Sequence, residues 1–388
     1  MGCCEKKKQE QLIENSENNK QETNETNYEN LKLSYSDFEP LKLLGTGSFG
    51  RVVLVRYTNN NALYAMKILN KIQIKLKKQE EHTKTERNLM VKVNCPFIVN
   101  IKFAFQDDLK LYIVSDFMQG GDMFYHLHTE KKKFSESTAK FYIIELILGI
   151  EFLHKNNIIY RDLKPENILM DIEGHIKISD FGLSKILEDP DDKAFTLCGT
   201  PQYIAPEILK NKGYDKTVDW WALGCFLYEM LTGALPFRIP KGNRINPKIY
   251  EEPLRFPPDI STQAVNLIVK LLNPNPKKRL GAGSNGAKNI KEHPYFKDVD
   301  WEKYWNKEIE PPFIPELCSE IDLKYFDKMF TDEPVNSNRP TIMERARGVS
   351  EYKGFTYVTQ SVSKEMMNFA ANEEETNNPK SDNASEDI

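Results

Sequence analysis

The chain has 388 residues, 40% of them hydrophobic, enough to bury a sizeable core, and a prior of roughly 100–200 residues per domain points to two lobes or domains. A formal charge of −4 excludes a global attraction to nucleic acid or an anionic surface, and Glu373, Glu374, Glu375, Asp382, Glu386 and Asp387 supply much of the negative side. The six cysteines, Cys3, Cys4, Cys95, Cys198, Cys225 and Cys318, lack repeated CxxC spacing and follow no secretory h-region, which implies a reduced cytoplasmic setting, and no apolar run approaches the roughly 18 residues of a membrane span.

Residues 1–36 are rich in Asn, Glu, Gln and Lys, too poor in apolar positions to offset the entropy of ordering, and read as a disordered arm. Its opening, MGCCEKKK, places Gly2 for N-myristoylation, Cys3 and Cys4 for S-palmitoylation, and Lys6, Lys7 and Lys8 for an anionic leaflet. Lys6 stands where the acylation motif prefers Ser or Thr, so a solvated tail with two spare thiols is the other reading. Acyl plus palmitoyl chains would anchor the protein to a membrane where one chain alone would hold it only marginally.

From Phe38 the pattern becomes short β-like runs, LKLLG, RVVLVRY and ALYAMKIL, with Asn59, Asn60 and Asn61 at the second turn. The first turn reads Gly45, Thr46, Gly47, Ser48, Phe49, Gly50. GxGxxG alone is weak, since it also marks dinucleotide-binding units, but those open a helix and here a β-branched run beginning at Val52 follows. That order suits a flap between two strands whose backbone amides cover phosphates. Lys67 ends the third run; a lone Lys is usually a solvated edge residue, but a basic helical stretch, NKIQIKLKKQEEHTKTERNLM, follows and can return the Glu86 carboxylate to it. IKFAF and LYIVSDF then give two more strands, so five strands and one helix form a small lobe.

Beyond Gly120 and Gly121, FYIIELILGIEFLHK carries apolar residues at three and four spacing and reads as a buried helix, with His154 a packed or capping residue at its end. The loop YRDLKPEN follows at 160–167. Asp162 is placed to accept a proton from a substrate hydroxyl, Lys164 to neutralise a transferring phosphate, and Asn167 and Asp180 are oxygen ligands that Mg²⁺ accepts alongside phosphate oxygens. Any one of them could be an idle loop residue; the ordered set behind a glycine flap and a strand Lys makes chance a poor account.

These residues resemble a eukaryotic protein kinase: GTGSFGRV, AMK, Glu86, YRDLKPEN, DFG at Asp180, Phe181 and Gly182, and APE at Ala205, Pro206 and Glu207. Tyr160 before Arg161, TLCGTPQY, DWWALG and RLGAG are similar to the AGC group, and the resemblance covers Phe38 to Tyr357. It implies an α+β bilobal fold, with a five-stranded antiparallel small lobe carrying one main helix and a larger, mostly helical lobe. It also implies a kinase domain over 38–296, a C-terminal extension over 297–360 and an acidic disordered tail over 361–388. The ATP site would comprise Leu44, Gly45, Thr46, Gly47, Ser48, Phe49, Gly50, Val52, Ala65, Lys67, Ser115, Asp116 and Met118. Lys67 would pair with Glu86, Asp162 would be the catalytic base beside Lys164, Asn167 and Asp180 would hold two Mg²⁺ ions, Glu207 would pair with Arg279, and Asp219 would brace the catalytic loop from below.

By the same resemblance Thr196 is the activation-loop phosphosite, received by His82, Arg161 and Lys185, through the charge and acceptors that a phosphate adds. The extension, EPPFIPEL, YFDKMFTDEPVNSNRP and YKGFTYV, looks like that of the S6-kinase and serum-regulated subgroup. It implies that Phe326 and Phe330 approach the nucleotide side, that Ser337 is a turn phosphosite, and that Tyr352, where relatives have Phe, docks with Phe355 in a small-lobe groove when Thr356 is phosphorylated. The implied partners are protein substrates and an upstream phosphoinositide-dependent kinase acting on a monomer, with no nucleic acid. Asp122, Glu166 and Glu229 would favour Arg upstream of the target, although Asp122 is shorter than the usual Glu and Gln202 replaces a frequent Glu. Ser115 stands at the gatekeeper position, where a small side chain should open a back pocket. A catalytically dead scaffold and a lipid or small-molecule kinase are the competing classes; the intact polar set argues against the first, and the APE segment with its acidic neighbours against the second.

Overall fold

The runs that open the chain pair as an antiparallel meander: β1 (Phe38–Gly47), β2 (Gly50–Tyr57) and β3 (Leu63–Asn70), joined across β5 (Lys110–Asp116) to β4 (Ile101–Gln106). The computed structural model describes residues 33–47, 50–130, 133–189, 192–210, 212–237, 247–335, 352–359 and 362. Strand β2 buries Val53, Leu54 and Val55 in succession, alternation in β3 buries Tyr64, Met66 and Ile68, and the intervening turn closes through a Tyr57 N–H to Ala62 carbonyl bond with Asn61 left-handed at φ 57°. Gly50 starts β2 so close to β3 that a Cβ would lie 1.8 Å from the Ile68 carbonyl oxygen, which no side chain tolerates.

Two details differ from the sequence reading. The sheet has six strands, because β10 (Tyr357–Val358) pairs antiparallel with Ala104 and Phe103 on the outer edge of β4. A strand edge offers unpaired N–H and C=O groups, and the distant segment satisfies them. The basic helical stretch is broken into α1 (Lys71–Leu76) and α2 (Glu80–Lys92), with Lys78 left-handed at φ 53° between them. In one continuous helix Ile74 and Glu86, twelve residues apart, would point about 120° away from each other at 3.6 residues per turn. The break lets both turn inward, leaving Ile74 fully buried and Glu86 5% exposed. Asn70 caps α1 by accepting from the Ile72 and Gln73 amides, and Glu80 and Glu81 favour the positive start of α2.

The larger lobe is built on two buried helices. α3 (Met123–Tyr125), capped by Asp122, runs into a π-helical turn, His126–Glu130; α4 (Glu136–Lys155) follows, capped by Ser135. Short ladders β6 (Ile158–Ile159) with β9 (Lys185–Ile186), and β7 (Ile168–Met170) with β8 (Ile176–Ile178), fold the chain between the lobes. After α5 (Pro206–Leu209), α6 (Thr217–Thr232) is apolar on nearly every side and is buried throughout, ending where Gly233 takes φ 70°. Glu136 accepts both the amide and the hydroxyl of Ser261, tying α4 to the start of α7 (Thr262–Leu271). No described helix is long and apolar enough to cross a membrane.

The extension returns along the surface. Phe313 and Tyr325 pack on the His126 ring at 5.1 Å each, Gln119 donates to the Ser319 and Asp322 carbonyls, and Arg56 meets Glu320 at 3.2 Å. Phe326 stacks on Phe117 with centroids 5.9 Å apart, and Lys42 donates to the Thr331 carbonyl, so this segment passes from the large lobe across the hinge to β1.

Candidate active site

The register of the sheet places the first group of site residues. Lys67 on β3 lies opposite Val52 on β2 and Ile113 on β5, and Ala65 lies opposite Ser115, so these side chains line one strand-to-strand track below the glycine turn. Gly45 and Thr46 pair with Val52 and Arg51, and Gly47 pairs with Gly50; Ser48 and Phe49 lie outside the described residues. Leu44 is half-buried, Met118 is buried, and the Met170 carbonyl accepts the Gly120 amide, which fastens the hinge to β7. Asp116 at the end of β5 reaches Lys102 of the small lobe at 3.0 Å and Lys177 of the large lobe at 3.4 Å.

The Lys67 ammonium sits 2.6 Å from Glu86 Oε1 and 3.3 Å from Asp180 Oδ1. Burial works against the charged lysine, but Asp180 and Glu86 outweigh it and hold its pKa above the ordinary value. The same ammonium draws the Asp180 carboxyl below its usual range against the effect of burial, with a further pull from Lys164. For Glu86, burial prevails and raises the carboxyl despite Lys67.

The loop that carries Asp162 is held by the start of α6. Asp219 accepts the Tyr160 amide at 3.0 Å, the Arg161 amide at 2.8 Å and the His154 ring at 2.7 Å, so His154 is a structural partner at the end of α4. Asp162 Oδ1 accepts from the Thr200 hydroxyl at 2.7 Å and Oδ2 from the Asn167 amide at 2.8 Å, with the Lys164 ammonium 2.9 Å away and itself 3.0 Å from Thr200 Oγ1. Asn167 therefore presents its amide nitrogen, not its oxygen, to Asp162. Asp180 is left-handed at φ 52°, and the buried Phe181 meets the Tyr160 ring edge-on at 5.6 Å.

A second acidic group lies beside this loop. Burial, with Glu166 adding to it, pushes the Asp122 carboxyl up to about 6, against the Tyr125 and Phe124 amides. Glu166 is exposed, whereas Glu229 is buried on α6, bonded by the Tyr203 hydroxyl on one oxygen and by His128 Nε2 at 3.0 Å on the other. Gln202 is half-buried beside Tyr203.

The other expected groups fall in different places. Arg161, left-handed at φ 71°, donates to the Leu183 and Ser184 carbonyls and to the Tyr214 hydroxyl, which donates in turn to the Thr196 carbonyl. The Thr196 side chain is exposed; His82 bonds Gln79, Lys185 pairs in β9, and no hydrogen bond or ion pair among the described residues joins either to Thr196. Tyr352 and Phe355 are buried in a groove between α1, α2 and β4: Gln106 bonds both backbone groups of Tyr352, Lys71 and Lys84 lie over its ring, and Arg87 bonds the Phe355 and Thr356 carbonyls. None of these contacts uses the Thr356 hydroxyl. Glu207 and Arg279 form a buried bidentate pair at 2.6 and 2.8 Å. Gly2, Cys3, Cys4 and Ser337 lie outside the described residues.

Sequence reasoning missed Thr200, Gln119 and His128 as site residues. Thr200 stood within the quoted TLCGTPQY, but nothing local in that string shows that its hydroxyl meets Asp162, 38 residues earlier.

The protein kinase domain model matches residues 38–296 and the protein kinase C terminal domain model residues 317–357. The chain is 49% identical over 79% of its length to the serine/threonine-protein kinase gad8 of Schizosaccharomyces pombe, covering 53% of that protein. It is 45% identical over 85% of its length to a RAC family serine/threonine-protein kinase homolog of Dictyostelium discoideum, covering 74% of it, and 44% identical over 84% to ribosomal protein S6 kinase 2 alpha of Gallus gallus, covering 44%. The chain thus spans about half the length of several curated relatives it matches. With its two-lobed α+β architecture, the assembled Lys67, Glu86 and Asp180 set and these matches, the chain belongs to the protein kinase family, in the AGC serine/threonine branch, whose members use ATP and Mg²⁺.

Proposed function

We propose that this chain transfers the γ-phosphoryl group of ATP to Ser or Thr of protein substrates carrying Arg or Lys upstream of the target. The observation that carries the reading is the Asp162 carboxylate, fixed on both oxygens by Thr200 and Asn167 and flanked by Lys164, in a cleft where Lys67, Glu86 and Asp180 already meet. Phosphoryl transfer asks the protein for positioning and charge stabilisation more than for covalent chemistry, and such a prearranged polar set supplies both. Asp162 accepts the substrate hydroxyl proton, Thr200 and Asn167 keep it aimed, and Lys164 offsets charge on the transferring group. Lys67 holds the α- and β-phosphates, with Glu86 keeping its ammonium in place; Leu44, Val52, Ala65, Ser115, Asp116 and Met118 frame the adenine.

The donor set also fits Mg²⁺. Among the described residues no cluster of three His, Cys, Asp or Glu side chains could hold a metal alone, and Mg²⁺ commonly takes one or two protein oxygens plus phosphate and water oxygens. Asn167 and Asp180 would hold two such ions, which when bound neutralise phosphate charge. Upstream Arg is read by Asp122, Glu166 and Glu229.

Regulation runs through phosphorylation of Thr196, Thr356 and Ser337 by upstream kinases, one of them a phosphoinositide-dependent kinase. The Arg161–Tyr214–Thr196 chain supports the first of these, since it couples the activation segment to the residue preceding Asp162. Acylation at Gly2, Cys3 or Cys4 would bring the cytoplasmic monomer to a membrane. A peptide array phosphorylated by the Thr196-phosphorylated full chain tests the activity: label should appear on Ser and Thr peptides with upstream Arg, and an Asp180→Ala chain that transfers phosphate normally would refute the assignment.

A further inference from the structure

The Glu229 carboxylate is engaged on both oxygens before any substrate arrives. The Tyr203 hydroxyl donates to Oε2, and the His128 ring nitrogen Nε2 lies 3.0 Å from Oε1. Glu229 is nearly inaccessible, its side chain 4% exposed, whereas the His128 ring is 35% exposed at the mouth of the same site. The ring is held there by Phe124, one turn earlier, with centroids 4.4 Å apart. A guanidinium binds a carboxylate best as a fork across both oxygens. Any guanidinium reaching Glu229 must share or displace the imidazole.

We propose that His128 is a specificity-determining residue that competes with the substrate guanidinium for Glu229 and so weakens selection for upstream Arg. The inference rests on the reading of Asp122, Glu166 and Glu229 as the acidic substrate group. Its physical basis is a shared acceptor. The imidazole occupies the Oε1 acceptor that one arm of the guanidinium fork would take, so the fork forms only by breaking or sharing that bond. The groups facing Glu229 besides His128 are the Tyr203 hydroxyl, the Cys225 thiol from its own helix and the Glu166 carboxylate. Burial raises both the Asp122 and the Glu229 carboxyls, so the comparison between variants is made at one fixed pH.

The test uses the full chain and a peptide series in which each upstream position carries Arg or Ala. The position read by Glu229 is the one at which Glu229→Gln removes the preference for Arg; Glu166→Gln, at an exposed site, gives a second variant that preserves folding. At that position His128→Ala should strengthen the Arg-over-Ala preference by up to about fivefold, the scale of a part-exposed charge pair, through KM rather than kcat. His128→Gln, which keeps an N–H donor for Glu229, should restore most of the wild-type preference, a rescue that a merely structural role for the imidazole would not produce. If Glu229→Gln removes the Arg preference but His128→Ala weakens it or leaves it unchanged, or His128→Gln behaves like His128→Ala, the inference is overturned. If neither acidic variant alters selection for Arg at any position, the acidic-group reading fails, and the inference with it.

Discussion

Replacing Arg279 by Ala should be among the most destabilising single changes in the large lobe. The Arg279 side chain is fully buried, and the guanidinium forks onto both oxygens of Glu207, donates to the Thr217 and Asn273 carbonyls at 2.9 and 3.2 Å, and lies over the Trp221 ring at 5.1 Å. Removing it leaves Glu207 buried without its cation, a change that costs about 3–5 kcal/mol. At roughly 2–4 °C per kcal/mol for a domain of this size, Tm should fall by about 6–20 °C. Calorimetry of the full chain reads this directly. Arg279→Lys keeps the charge but loses the fork and should fall between the two. Replacing the pair together, Glu207→Leu with Arg279→Met, should recover most of the loss, because a buried ion pair contributes little net stability over apolar residues of similar volume. A fall of less than about 2 °C for Arg279→Ala, or a double variant no better than the single one, would refute this reasoning.

Three further outcomes follow from the site. Because the Asp122 carboxyl is held up to about 6, it is ionised above that pH and loses its charge as pH falls through it. Preference for an upstream Arg that contacts it should therefore drop roughly tenfold by pH 5, where about a tenth remains ionised; steady-state KM ratios check this, and an equally steep loss in Asp122→Asn would sink it. The buried Tyr352 hydroxyl has no hydrogen-bond partner among the described residues, so Tyr352→Phe should seat the 352–359 segment more firmly, by about 1–3 kcal/mol. Slower hydrogen exchange at the β10 amides is the expected reading; faster exchange contradicts it. Ser115, half-buried on β5 opposite Ala65, should admit bulky adenine-site inhibitors, so Ser115→Met should raise their inhibition constants, and equal sensitivity of the two proteins would remove the support for that pocket.

The strands of the meander, the glycine turn and the order of Lys67, Asp162, Asn167 and Asp180 were legible in the chain because each rests on a local pattern: alternation within a strand, glycine where backbones approach closely, and fixed spacing in a short loop. What faces what was not local. The break between α1 and α2 follows from the demand that Ile74 and Glu86 both turn toward the sheet, which no single periodicity states. Six strands replaced five because residues 357 and 358, remote in sequence, fill the edge of β4. Thr200 on Asp162 and His128 on Glu229 are contacts across 38 and 101 residues. Sequence thus determined which chemical groups the site possesses, since their identity and spacing are written in the chain; the tertiary structure alone decided their partners, because a carboxylate buried by packing takes its hydrogen bonds from whichever donors the fold brings within reach.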